Sequence, residues 1–503
     1  MNYKGTRDAS ISTTAAQAIV QGISKDGGLF VPETLPQYSH ADLSAMKNLS
    51  YVQRAARILR DFLPEFSEEE ILECVSAAYA ADKFSGGHPA PVVPVNNASV
   101  PMNVLELWHG PTCAFKDMAL QLLPHLLTHS LRKTKCEKTA VILVATSGDT
   151  GKAALEGFKD VDRTKILVFY PENGVSPMQK HQMNTQEGEN VCVCAIEGNF
   201  DDAQTGVKKI FVDPSVSDTL HQNGMLFSSA NSINWGRLLP QIVYYFSAYC
   251  DLMEQGVLTE EGQKINVVVP TGNFGNILAA YYAKKMGVPI HKLVCASNAN
   301  NVLTEFLNTG VYDRNREFHA TISPSMDILI SSNLERLLYD ITGEDADKVA
   351  DWMGQLSATG RYQVDADTLA KLKDLFCAAY CDDATTKETI RETFRDAKYL
   401  CDTHTAVAVN VYQQYVRKTG DTTPTVVVST ASPYKFADAV LSAVSDSYDN
   451  TISEFEKVQA LARATNTQIP APIAGLAEKP VRFSNVCEKD SMSSFLLQML
   501  HLK

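Results

Sequence analysis

Six short runs organise the middle of the chain: Thr139–Thr146, Lys165–Tyr170, Val191–Ile196, Ile265–Thr271, Lys292–Ser297 and Thr425–Thr430. Each is nearly continuous in Val, Ile, Leu, Cys, Ala or an aromatic residue, without alternation of apolar and polar positions. A strand with one wet face alternates, whereas a strand of a parallel sheet is covered on both faces and does not. Helical patterns follow the runs, as in Gly236–Ala248 and Asn276–Lys285. Parallel strands require such crossovers, so the expected class is α/β, with two lobes built on parallel sheets flanked by helices.

At about 100–200 residues per domain, 503 residues predict about three parts. The first 95 residues read as a mostly helical module, with apolar residues at helical spacing in Thr13–Gly22 and Tyr51–Phe62. Ser67 followed by Glu68, Glu69 and Glu70 is an N-cap with acids at the positive end of a helix. The Gly/Pro-rich stretch Ser85–Pro91 marks a boundary. The expected division is a module over 1–95, an α/β lobe over 96–235 and a second α/β lobe over 236–503. Residues 299–400 read as a helical insertion, with charged amphipathic patterns in Ala366–Ala379 and Thr386–Ala397.

The net charge of −13, with no basic run beyond groups such as Lys133–Lys135, argues against a nucleic-acid partner. No apolar stretch approaches the ~18–20 residues that cross a bilayer. The opening residues Met1–Asp8 lack the apolar segment of a signal peptide, so a cytoplasmic protein is expected. Cys192 and Cys194 alternate in a strand run, and Cys377 and Cys381 sit four apart on a helical pattern. Neither pair has ligand-spaced partners, so both read as buried thiols and no metal is expected.

Ligands of parallel α/β sheets bind in the loops after the strands. Thr271-Gly272-Asn273-Phe274-Gly275-Asn276 separates a strand run from a helical run. Its glycines allow close backbone approach, and its amides and the helix start suit a phosphate. Thr146-Ser147-Gly148-Asp149-Thr150-Gly151 offers hydroxyls and amides to a second anion. Either loop is equally a capped strand–helix turn. The third feature is His109-Gly110-Pro111-Thr112-Cys113-Ala114-Phe115-Lys116-Asp117. A lysine in such apolar surroundings loses charge through desolvation and becomes a nucleophile able to bond an aldehyde cofactor, though alone it also reads as a snorkelling surface lysine.

A phosphate nest, an anion loop and an aldehyde-binding lysine are the parts of a pyridoxal-phosphate (PLP) enzyme. The segment His109–Asp117, the Ala145–Gly151 loop, the loop at 271–276, Ser323-Pro324-Ser325-Met326-Asp327-Ile328, Ser332-Asn333-Leu334-Glu335-Arg336 and Asp26–Glu33 together resemble the threonine synthase family. That resemblance implies fold type II, shared with the tryptophan synthase β chain and cysteine synthase. It implies conversion of O-phospho-L-homoserine and water to L-threonine and phosphate, by γ-elimination and β-addition of water. It further implies that Lys116 links covalently to PLP and acts as the catalytic base. Gly272, Asn273, Phe274, Gly275 and Asn276 would hold the cofactor phosphate, and Thr430 would face the pyridine nitrogen. Thr146, Ser147, Asp149, Thr150, Asn333 and Arg336 are the candidate substrate contacts, with Lys180 and Arg237 as further cations. Many enzymes of this fold carry Asn where Asp149 stands, which leaves the partner of the cofactor's phenolic oxygen open. His404 reads either as a capped, satisfied histidine or as a group near the site. The alternatives are another PLP lyase, such as threonine dehydratase or cysteine synthase, and a nucleotide-binding dehydrogenase; the absence of Gly-x-Gly-x-x-Gly argues against the latter. A monomer is expected, with a dimer as the alternative.

Overall fold

The apolar runs become the strands of two sheets in the computed structural model, which describes residues 1–502 except Ser147, Gly174 and Asp446 and the side chain of Asp201. The smaller sheet has five parallel strands in the order Asn485–Glu488, Val191–Glu197, Thr164–Pro171, Thr139–Ala145 and Met225–Ser228. The larger has six, in the order Phe376–Tyr380, Ile290–Ser297, Ile265–Pro270, Thr425–Ser429, Met102–Glu106 and Val92–Val95. Its strands are parallel except the last, which runs antiparallel to Met102–Glu106. Every residue of Ile265–Pro270 is buried, as its unbroken apolar sequence requires.

The helix Trp235–Glu254 is apolar nearly all round, and every residue from Trp235 to Leu252 is buried. A helix of that kind belongs inside a core rather than on a surface. The N-terminal module packs on it: Arg54 reaches Asp251 at 2.6 Å, and Tyr38 meets Phe246 edge to face. Capping boxes begin the helices Ala15–Gln21, His40–Met46, Tyr51–Phe62 and Glu68–Ala78, with Ser67 the cap of the last.

The structure changes several sequence expectations. The N-terminal module also carries a small antiparallel sheet of Ser12–Thr13, Tyr3–Gly5 and Phe30–Pro32. The boundary after residue 95 falls inside a hairpin, because Val92–Val95 pairs with Met102–Glu106. Neither sheet is contiguous in sequence: Met102–Glu106 joins strands from beyond residue 265, and Asn485–Glu488 returns to the smaller sheet. Residues 299–400 are not wholly helical, since Val311–Asp313 pairs with Arg361–Gln363 and Phe376–Tyr380 forms an edge of the larger sheet. The apolar positions of that edge strand continue the period of the preceding helix Ala366–Leu375, which hides the change of structure. Cys377 is therefore on a strand, and all eleven cysteines are free. No helix among the described residues is long and apolar enough to cross a membrane.

Candidate active site

Lys116 is fixed beside the end of the strand Thr425–Ser429. The Phe115 amide donates to the Thr430 carbonyl at 2.8 Å, and the Ser432 amide donates to the Cys113 carbonyl at 3.0 Å. Cys113 takes a left-handed conformation, φ 57°, to make this turn. Asp117 accepts from the Thr112 amide at 2.9 Å and the Thr112 hydroxyl at 2.6 Å. Burial raises Asp117 to about 6 against those bonds.

The Lys116 side chain is only 12% exposed. Its Nζ donates to Ser325 Oγ at 3.3 Å and lies 3.7 Å from Asp149 Oδ2. Desolvation lowers Lys116 from the ordinary lysine range to about 8; Asp149 opposes the shift, and Lys435 and Arg237 add to it. Asp149 in turn meets Lys435 Nζ at 2.7 Å, accepts from Gln179 Nε2 at 3.1 Å and accepts from Ser325 Oγ at 3.4 Å. Burial alone would raise the Asp149 carboxyl, but Lys435, Lys116 and the Lys435 and Gln179 hydrogen bonds hold it well below the usual carboxylate range. Lys435 is fully buried and also donates to the Thr112 carbonyl at 2.9 Å.

The loop after Ile265–Pro270 turns through Phe274, φ 63°, into the helix Gly275–Lys285. A Cβ on Gly272 would lie 2.7 Å from the Ser325 carbonyl oxygen, so only glycine fits between the two loops. Asn276 Oδ1 accepts from the Tyr244 and Tyr245 hydroxyls at 2.6 and 2.5 Å. Its Nδ2 is buried with no hydrogen-bond partner among the described residues, and so is Arg237 Nε. Arg237, Gln241 and Tyr244 share one stripe of the core helix facing this loop: Gln241 donates to the Arg237 carbonyl, and Tyr244 reaches both Gln241 and Asn276.

The candidate residues thus divide. Lys116, Asp149, the loop at 272–276 and Thr430 come together. Thr146 is 2% exposed and its hydroxyl is engaged by the Gly148 and Gly151 amides, capping its own turn. Thr150 is half-buried, and Ser147 lies outside the described residues. Asn333 donates to the Asn273 carbonyl at 3.1 Å, bracing the phosphate-type loop. Arg336 is fully buried, with donors committed to the carbonyls of Phe30 and Ile233 and to Asn333 Oδ1. Lys180 sits on the surface paired with Glu172 at 2.6 Å. His404 is 3% exposed and reaches Ser325. Sequence reasoning passed over Lys435, Gln179 and the role of Ser325. Lys435 carried a usable signal, since Tyr434-Lys435-Phe436 repeats the apolar setting of Phe115-Lys116.

A desolvated lysine amine joined through Ser325 to a glycine loop, with orphaned donors on Asn276 and Arg237, defines the class, and residues 84–431 match the family profile described as "Pyridoxal-phosphate dependent enzyme". Residues 2–79 match "Threonine synthase N terminus", and residues 405–494 match "Threonine synthase, C-terminal". The chain belongs to the threonine synthase family. It is 38% identical to threonine synthase of Pseudomonas aeruginosa over 88% of this chain and 90% of that one. The solved PLP-bound threonine synthase of Brucella melitensis superposes with a TM-score of 0.86 at 35% identity, covering 99% of each chain. Threonine synthase-like 1 of Macaca fascicularis is 42% identical over 85% of this chain, which spans only 58% of that protein's length.

Proposed function

We propose that the chain converts O-phospho-L-homoserine and water to L-threonine and phosphate, using pyridoxal 5′-phosphate held at Lys116. The observation that carries this reading is the buried Lys116 amine set between Ser325 Oγ at 3.3 Å and Asp149 Oδ2 at 3.7 Å. The surroundings fit the cofactor. Gly272 leaves a cradle that a Cβ would fill, and Asn276 Nδ2 is an orphaned donor beside the N-terminus of Gly275–Lys285. Thr430, at the end of its strand, is assigned to the ring nitrogen.

When bound, PLP supplies the electron sink that makes the substrate's Cα proton removable and lets phosphate leave from Cγ. Lys116 takes the proton from Cα and carries protons to and from Cβ, where water adds. An amine near 8 is partly neutral at cellular pH, so it can both accept and return protons. Asp149, held anionic by Lys435, attracts the Lys116 amine while it is protonated, and Ser325 orients it by hydrogen bonding. Arg237 is the cation assigned to an anion of the site: it is buried and donates to the Ala230 carbonyl at 2.5 Å, with no carboxylate partner among the described residues. Arg336 and Asn333 shape the loop instead, Arg336 holding the Phe30 and Ile233 carbonyls and Asn333 Oδ1, and Asn333 holding the Asn273 carbonyl. Thr150 remains the candidate contact for the substrate on the second loop. Free cysteines throughout suit a reducing cytoplasm.

The test is phosphate release from O-phospho-L-homoserine, measured beside keto-acid release from threonine. Borohydride should bleach a visible band and add the cofactor's mass to Lys116. Keto acid without phosphate, or a fully active Lys116→Ala variant, refutes the reading.

A further inference from the structure

We propose that His404, oriented by Asp402, is a positioning residue that sets the Lys116 amine in place through Ser325. The inference rests on the reading of Lys116 as the cofactor-bearing base. The Ser325 amide donates to His404 Nε2 at 3.1 Å. An amide can only donate, so Nε2 is unprotonated and Nδ1 carries the proton. Nδ1 then donates to Asp402 Oδ2 at 2.8 Å. Asp402 is fully buried and also accepts from the His404 and Thr405 amides at 2.9 and 3.1 Å. The Phe436 ring lies 4.8 Å from the imidazole, centroid to centroid, and closes that side.

The contacts of this helix start reach two elements beside Lys116. On one side, His404 holds the backbone of Ser325, whose hydroxyl accepts from Lys116 and donates to Asp149. On the other, the Thr405 hydroxyl donates to Asp402 Oδ1 and accepts from the Ser429 hydroxyl at 3.0 Å, one residue before Thr430. Trp108 Nε1 donates to the same Ser429 hydroxyl at 3.1 Å. The start of the helix Thr403–Thr419 is therefore a joint between the loop that orients the amine and the strand end beside the cofactor. Hydrogen-bonding a backbone amide is a stricter demand than packing, because only an acceptor of the right reach satisfies it.

The experiment uses holoenzyme carrying His404→Leu, His404→Gln, Ser325→Ala and the His404→Leu/Ser325→Ala pair. Loss of the acceptor is expected to lower kcat for phosphate release about 10- to 100-fold, with KM within about twofold, because it misplaces a base without removing a substrate contact. The pH midpoint of the visible cofactor band should shift equally in His404→Leu and Ser325→Ala, with Asp149, Lys435 and Arg237 still surrounding the amine. His404→Gln, which restores an acceptor oxygen, should return both readings close to wild type. The double variant should be no worse than Ser325→Ala alone, since the two act as one unit. Should His404→Leu not fold, His404→Asn, whose amide stops short of Ser325, makes the same comparison. Additive losses, or a wild-type spectrum and kcat in His404→Leu, overturn the inference alone. A wild-type protein with no visible band defeats the functional reading and this inference with it.

Discussion

Replacing Lys435 with methionine removes one charge from a buried pair and keeps most of the side-chain volume. Lys435 is fully buried and its Nζ is 2.7 Å from Asp149 Oδ1. At an effective dielectric near 20, that separation gives ~6 kcal/mol of gross attraction, against ~4–5 for Asp149 and Lys116 at 3.7 Å. Desolvation cancels much of both, and breaking a buried pair from one side costs about 3–5 kcal/mol net. If the 503 residues unfold as one unit, with an unfolding entropy of ~1 kcal/mol/K, the melting temperature falls by about 3–5 °C. A half-sized cooperative unit would double that. The pH dependence gives a second, independent sign. In the parent, Asp149 is held below the ordinary range, so its contribution is complete above the unfolded value near 4 and is lost only as pH falls through the depressed one. In the variant, burial becomes the dominant influence and raises Asp149. Its ionised form then destabilises near pH 7, and the penalty fades as pH falls. Melting measured by calorimetry at about pH 7 and about pH 5 should therefore show the gap between parent and variant narrowing on acidification. Adding Asp149→Asn to the variant should recover most of the loss, because the amide no longer needs a cation. An equal gap at both pH values, or a double variant as unstable as the single, refutes this account of the pair.

The kcat for phosphate release should rise with pH along a limb centred near 8, because Lys116 acts in its neutral form and that form gains as pH climbs through its lowered value; a limb centred above 10 would contradict it. Gly272→Ala places a Cβ 2.7 Å from the Ser325 carbonyl, so the apparent affinity for PLP, followed by absorbance titration, should weaken about tenfold or more while the far-ultraviolet dichroism holds. Gly157→Ala is the structural counterpart: its Cβ would lie 1.9 Å from the Leu120 carbonyl, and overpacking of at least ~1–3 kcal/mol should appear as a lower melting temperature.

The six apolar runs were legible because double-sided burial writes itself into every position of a strand. Thr139–Ala145 and Ile265–Pro270 end within a residue of where their patterns stop. Partnership was not legible. Nothing local in Met102–Glu106 says that it lies beside Thr425–Ser429, and nothing in Asn485–Glu488 says that it lies beside Val191–Glu197. The site showed the same division. Lys116 was visible from its apolar neighbours, and the loop at 271–276 from its glycines. Arg336 also looked like a candidate by type and position, yet its three hydrogen bonds are all internal. A side chain's chemistry is written in the sequence, but the competition for its donors is settled only by packing. Lys435 makes the converse point: its charge matters because Asp149, 286 residues earlier in the chain, is folded against it.

The late arrival of Asn485–Glu488 has a consequence for how the chain is made. The strand Val191–Glu197 is an edge until that segment pairs with it, and Asn485 meets Val193 across 292 positions of sequence. At ~5–20 residues per second, a ribosome needs about 15–60 s to bridge that interval. For that time the growing chain presents an open β-edge built from Val-Cys-Val-Cys-Ala-Ile. Such an edge invites pairing with a neighbouring nascent chain. Yield from a crowded polysome should therefore depend on what shields this edge during synthesis, even where the finished enzyme is stable.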